Sequence, residues 1–270
     1  MITSSLLFLD DKHILVPFWT PMAPLRDADE MHLRIFSHEP GDSTRKSYED
    51  SEAVAVFTLP GLGHRVGVLQ VDGAGNPHST QPPPAGFDVP FDGSMRSRVF
   101  VLNIVLTTNN DRRPFYYLLF VPAYVFHRHC QMRRFHVVNW DEWCGETRLV
   151  HKLPLGIVSD GHIFKTRALF PESKLDENGA LIDATNPPFV IYDFSSPALL
   201  RRDAASGRFS NCEYIFEPAV LADDQNVWKQ KVVTGEALPF RKIWTGFTLS
   251  MRTGMFSLAE DCLIMGDEDG

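Results

Sequence analysis

Several common chemical signatures are missing from this chain, and each absence narrows what it does. Its four cysteines, Cys130, Cys144, Cys212 and Cys262, form no C-x-x-C pair, so neither a zinc knuckle nor a disulfide scaffold is written here. No Asn-X-Ser/Thr sequon occurs, so nothing marks a glycosylated secreted surface. The first residues, MITSSLLFLDDKHILVPFW, have no basic lead-in, and two aspartates interrupt the apolar run. That stretch reads as neither a signal peptide nor a membrane span, and the expected compartment is the cell interior, cytoplasmic or nuclear. A positive field is missing too. The formal net charge is −8, and the pairs Arg112-Arg113, Arg133-Arg134 and Arg201-Arg202 stand among acidic residues, which argues against a nucleic-acid partner.

The catalytic vocabulary is equally thin. GLGHRVG (61–67) has glycines that would let amides approach a phosphate, but it lacks the Lys-Ser/Thr of a P-loop and a following helix. It reads as a hairpin turn between AVFTLP and RVGVLQV. No G-x-S-x-G elbow is present, and the acidic pairs Asp10-Asp11, Asp141-Glu142 and Asp223-Asp224 read as solvated turns. The best metal candidate is HRHCQMRRFH, with His127, His129 and His136. On a strand, His127 and His129 would share a face, as zinc ligands do, although Arg128, Arg133 and Arg134 crowd the segment with positive charge. A metal-dependent hydrolase on a β scaffold is therefore the second functional reading.

What the chain has in quantity is phenylalanine and proline, 20 and 19 residues in 270. Short apolar runs recur between Gly, Pro, Asp and Asn: HILVPFW, AVAVFTL, RVFVLNIVL, FYYLLFV, FVIYDF and others. Runs of this length, rich in Val, Ile, Phe and Tyr, are strands, and so many of them imply an all-β sandwich, barrel or propeller. Long loops are expected at 73–93 and 171–188, the latter with a turn at Asn178-Gly179. One helix is expected near 196–206, with Ser196 as its cap, Pro197 in its first turn and Gly207 at its end. LLFLDDKHILV (6–16) and MFSLAEDCLIM (255–265) share a strand, acidic turn, strand frame, which favours a propeller hairpin. No composition shift divides residues 1–270, so a single domain is expected.

The stretch NWDEWCGETR (139–148) sets Trp140 and Trp143 beside a turn and a Thr-Arg pair. Paired tryptophans suit a binding surface or a core anchor, and anchoring is the expected role, with Arg148 stacked on one ring.

At this motif the sequence resembles the F-box-like proteins of basidiomycete fungi, in which a β-rich region carries W-x-x-W-G-P-x-x-T-R. Here it stands as Trp140, Trp143, Gly145, Thr147 and Arg148, one residue shorter after the second Trp and without the Pro. FLDDKHILV (8–16), VFTLPGL (56–62), YYLLFVPAYVF (116–126), IYDFSSPALLRR (191–202), LPFRKI (238–243) and MFSLAEDCLIMG (255–266) resemble further family segments in the same order. The signature positions carried over are Trp140, Trp143, Arg148, Asp193, Arg201 and Arg202, all expected to be structural.

The resemblance implies a propeller-like, non-enzymatic substrate-recognition region with no catalytic residue, cofactor or metal. No F-box, the module that docks a Skp-type adaptor of a cullin ubiquitin ligase, stands in these residues. The chain resembles the C-terminal half of such a protein, and a Skp-type partner is expected only if an F-box lies upstream. At about 40–45 residues per blade, 270 residues hold about six blades or an incomplete ring with exposed strand edges.

Overall fold

Two apolar runs in the middle of the sequence, VFVLNIVLTT and FYYLLFVP, fold against each other as β6 (Val99–Thr108) and β7 (Phe115–Pro122). Neither run alternates apolar with polar, so a sheet built from them has two faces to bury. The computed structural model describes residues 6–19, 31–37, 52–64, 66–74, 98–108, 114–132, 134–152, 162–172, 174–175, 181–182, 188–207, 209–221, 227–248, 255–258 and 263–266. β5 (Val66–Ala74) and β9 (Arg148–Lys152) flank the pair, giving the antiparallel middle sheet β5-β6-β7-β9.

A sheet packs on each face. On one side lie β1 (Leu7–Phe8), β2 (His13–Trp19), β3 (Met31–Ser37), β4 (Ala53–Thr58) and β8 (His136–Val138), in that order, with β8 parallel to β4. Phe100, Leu102, Ile104 and Leu106 of β6, with Tyr117, Leu119 and Val121 of β7, join this sheet in the larger core. On the other side lie β10 (His162–Phe164), β11 (Arg167–Pro171), β14 (Pro188–Asp193), β18 (Phe240–Thr248) and β15 (Cys212–Ile215). Val99, Val101, Leu118 and Phe120 face it, and Phe120 packs on Phe170, Tyr192 and Phe194 at 4.7–6.3 Å between ring centroids. Alternate residues of β6 and β7 thus enter different cores, as the period of two in a strand requires. The all-β expectation holds in this coarse form: several sheets, none closed into a barrel among the described residues.

Three antiparallel hairpins complete the described strands. β12 (Lys174–Leu175) pairs with β13 (Leu181–Ile182) within the expected 171–188 loop, whose Asn178-Gly179 turn lies outside the described residues, and β16 (Ala219–Leu221) pairs with β17 (Val232–Thr234). β19 (Met255–Leu258) pairs with β20 (Leu263–Gly266). The two segments read as a repeat are both hairpins. Phe8 pairs with Ile14 across five residues and Leu258 with Leu263 across four, so the second turn is one residue shorter.

Three expectations are corrected. The chain has not one helix but three among the described residues: α1 (Ala123–Cys130), α2 (Trp140–Trp143) and α3 (Pro197–Ser206). α3 matches the sequence reading, with the Ser196 hydroxyl accepting from the Leu199 N–H and Gly207 ending it at φ 60°. GLGHRVG is not a hairpin turn, because β4 and β5 belong to different sheets. The segment crosses between them and is pinned by Gly63 N–H to Val227 O at 2.8 Å and by Lys229 N–H to Gly61 O at 2.8 Å. Gly73 and Ala74 of the expected 73–93 loop belong to β5, and the rest of that loop lies outside the described residues. No helix among the described residues is long and apolar enough to cross a membrane.

Phe120 sits between the middle sheet and the β14 sheet with no exposed surface. Phe120→Ala is expected to cost about 3–5 kcal/mol in urea denaturation. A loss under about 1 kcal/mol would mean that these two sheets do not share a packed interface.

Candidate functional site

The tryptophan motif is a corner of the core. Asn139 precedes α2, and its N–H donates to the Glu142 carboxylate at 2.9 Å, as in a capping box. This hydrogen bond holds the Glu142 carboxyl below its usual range. The short helix directs Trp140 and Trp143 inward, where their rings meet edge to face at 5.0 Å between centroids. Both reach Thr58 at the end of β4: the Trp140 N–H donates to its hydroxyl at 2.8 Å and the Trp143 indole N–H to its carbonyl at 3.1 Å. Trp143 also packs on Phe57 and Phe126, which joins β4, α1 and α2 in one aromatic cluster.

Arg148 opens β9 and is buried. Its guanidinium lies over Phe240 at 4.9 Å, not over a tryptophan, and Nη1 donates to the Glu217 carbonyl at 2.6 Å. Burial pulls its pKa down to about 10. Gly235, at φ 82°, lies so close that an added Cβ would be 2.5 Å from Arg148 Cδ.

Asp193 is the second buried charge of the signature set. It accepts from Arg241 Nη2 at 2.5 Å, from the Ser195 hydroxyl at 2.6 Å and from the Ser195 N–H at 3.1 Å. Arg241 continues to Asp203 of α3 at 3.2 Å, so the pair ties helix to sheet. Burial opposes the charge on Arg241, but the hydrogen bonds and charges of Asp193 and Tyr214 together outweigh it and raise its pKa. Arg201 and Arg202 stand on the exposed face of α3, Arg202 beside Asp203 at 3.6 Å. Thus Trp140, Trp143, Arg148 and Asp193 are placed in the interior, and Arg201 and Arg202 are not.

The histidine trio is divided. FVPAYVFHRHC leaves β7 at Pro122 and turns into α1, burying Ala123, Val125 and Phe126. At about 100° per residue, His127 and His129 lie on opposite sides of a helix rather than on one face of a strand. His127 Nδ1 is 3.4 Å from the Asp10 carboxylate, which also holds His13 Nδ1 at 2.9 Å. Burial acts against the Asp10 charge, but the His13 and Lys12 hydrogen bonds prevail and lower its pKa. His129 meets His136 instead, 2.8 Å from Nδ1 to Nε2. Among the described residues no three His, Cys, Asp or Glu side chains are grouped to hold a metal ion. The alternative metal site at His127, His129 and His136 is therefore not assembled among the described residues. Burial pushes the Cys130 thiol up to about 12, which keeps it from acting as a thiolate nucleophile at neutral pH.

A cleft of about 320 Å³, not foreseen from the sequence, opens near the start of α3, lined by Arg98, Tyr124, Phe194, Ser195, Ser196 and Leu238. Among its described lining residues stands no Asp, Glu or His. Burial, and then Glu146, push the Tyr124 phenol up to about 12, and Ser195 is hydrogen-bonded to Asp193 rather than to a histidine. Comparison with protein-family models, curated proteins and solved structures found no match.

Removing the Asp193 carboxylate takes from the buried Arg241 cation the closer of its two carboxylate partners. Asp193→Ala is expected to cost about 3–5 kcal/mol in denaturant unfolding. Arg201→Ala and Arg202→Ala should stay within about 0.5 kcal/mol of the parent. Equal losses for all three would refute the division into interior and surface positions.

Proposed function

We propose that this chain is a non-enzymatic protein-recognition domain, of the kind implied by its resemblance to the substrate-recognition region of fungal F-box proteins. The observation that carries the reading is a strip of exposed apolar side chains leading into a sheet edge. Met132, Phe135 and Val137 are 50%, 60% and 49% exposed within six positions of the chain. Val137 lies in β8, the end strand of its sheet, whose described partner is β4 alone. Apolar residues clustered on an open sheet edge suit docking of another polypeptide, which gains main-chain hydrogen bonds from the edge and buries side chains on the strip.

A propeller-like arrangement belongs to the same proposal. Three sheets stacked face to face are what successive blades around a ring would present. In this reading the chain presents a substrate, and a Skp-type adaptor of a cullin ubiquitin ligase is a partner only if an F-box lies upstream. No catalytic residue and no cofactor is assigned. The Asp193–Arg241 pair, the tryptophan corner and buried Arg148 serve as the frame that holds the recognition edge.

The strip can be tested without disturbing the core, because both target side chains are exposed. A Phe135→Ser/Val137→Ser variant of the full chain should keep its melting temperature. It should also lose at least about tenfold of the protein crosslinked to the wild-type chain in its own cells, as expected for removal of an interface anchor. Undiminished crosslinking to the same partner would reject this edge as the recognition surface.

A further inference from the structure

The cleft at the start of α3 is where five stretches of chain meet: the entry to β6, the exit of β7, the turn between β10 and β11, the end of β14 and the segment before β18. Its floor is apolar and buried, made by Val99, Pro122, Phe194, Leu238 and Pro239. Its volume, about 320 Å³, lies at the small end of the range of about 300–1,000 Å³ that ligand pockets occupy.

Hydrogen bonds fix these walls. The Val99 N–H donates to the Lys165 carbonyl at 2.9 Å and the Phe194 N–H to the Thr166 carbonyl at 2.8 Å, so one turn holds two walls. Lys165 itself stands at φ 52°, a conformation that an L side chain keeps only where its surroundings impose it. The Ala123 N–H donates to the Arg98 carbonyl at 2.8 Å and the Ala237 N–H to the Gly145 carbonyl at 2.9 Å. Pro122, Pro197 and Pro239 add rigid backbone. A cleft formed in this way loses little conformational freedom when it is filled.

The lining decides what charge an occupant can carry. Arg98 brings no cation to the cleft: its Nη2 donates to the Leu9 carbonyl at 2.8 Å, and its guanidinium lies over Phe100, on the face of the middle sheet opposite Val99. The start of α3 offers little to an anion, because Pro197 has no N–H and the Leu199 N–H goes to the Ser196 hydroxyl. The Glu146 carboxylate, bonded to the Tyr124 phenol, opposes an anion further, and Arg128 matches its charge. Two adjacent hydroxyls set the polar side. Ser195 donates its hydrogen to Asp193 and keeps lone pairs to accept with, whereas Ser196 accepts from Leu199 and keeps its hydrogen to donate.

We propose that this cleft binds a small uncharged ligand, a single apolar ring system bearing one group that both donates and accepts a hydrogen bond, such as an amide or a hydroxyl. The ring lies on the floor of Val99, Phe194 and Leu238, where burial of apolar surface favours it. The polar group faces Ser195 and Ser196. A carboxylate offers no hydrogen to Ser195, and an ammonium offers no lone pair to Ser196. Either charge therefore leaves one hydroxyl without a partner and is itself desolvated at a cost. The inference does not rest on the recognition reading, since the site takes a small molecule whatever the β8 strip meets.

NMR of the full chain, labelled with ¹⁵N, tests this with indole-3-acetamide as the probe and indole-3-acetate as its charged counterpart. The acetamide should shift the backbone signals of Val99, Phe194, Ser195 and Leu238 along a saturating curve, with Kd below about 1 mM. The acetate should bind at least about tenfold more weakly. Nuclear Overhauser contacts from the indole protons to the Val99 and Leu238 methyl groups should place the ring on the floor. Shifts that do not saturate, or contacts made instead at Met132 and Val137, would overturn the site. Equal affinity for the acetate would overturn the assignment of an uncharged ligand.

Discussion

The middle sheet has no polar face, and the arrangement of the chain follows from that constraint. β6 and β7 send alternate side chains into two separate cores, with most positions apolar and buried. A two-layer protein would leave half of those residues in water, at about 1.5–3 kcal/mol for each large apolar side chain. The chain instead supplies an apolar cover on each side: the β1–β4 sheet with α1 and α2 on one, the β14–β18 sheet on the other. Phe120 and Leu119 are neighbours in sequence, yet they belong to different cores.

Chemistry-bearing residues are drawn into this layering as fasteners. Trp143 joins β4 to both helices of its layer, Arg148 reaches from the middle sheet to the Glu217 carbonyl, and the Asp193–Arg241 pair anchors α3 to the outer sheet. Buried charges of this kind cost desolvation, and each is compensated by hydrogen bonds or an aromatic face. At the periphery lie β8, paired among the described residues with β4 alone, the apolar strip before it and the cleft at the start of α3. The His129–His136 contact links the last turn of α1 to β8.

Strand content and α3 were legible because their signals are local. A Ser-Pro start with a glycine stop defines a helix within about a dozen residues. α1 was not legible as a run of apolar letters, since FVPAYVF looks like continued strand. The helical spacing of Ala123, Phe126 and Cys130 after Pro122 was the available signal. α2 carried the capping pattern Asn139-x-x-Glu142, overshadowed by its tryptophans. The metal reading failed with the secondary structure, because His127 and His129 share a face only on a strand. The partners of Asp193 and Arg148, and the crossing at GLGHRVG, depend on contacts distant in sequence, and no local pattern announces them. The all-β class followed from the strands; the stacking of sheets followed from two-sided burial, which VFVLNIVL and YYLLFV do display.

Native-state hydrogen exchange, read residue by residue across the full chain, is the most direct test of the middle sheet as the part on which the rest depends. The account predicts that the amides of β6 and β7 exchange most slowly and only through global unfolding, with the same denaturant dependence as the whole protein. Faster exchange in β6 and β7 than in the β2–β3 or β14–β18 pairs would contradict it, because an outer sheet would then be stable without the layer said to support it.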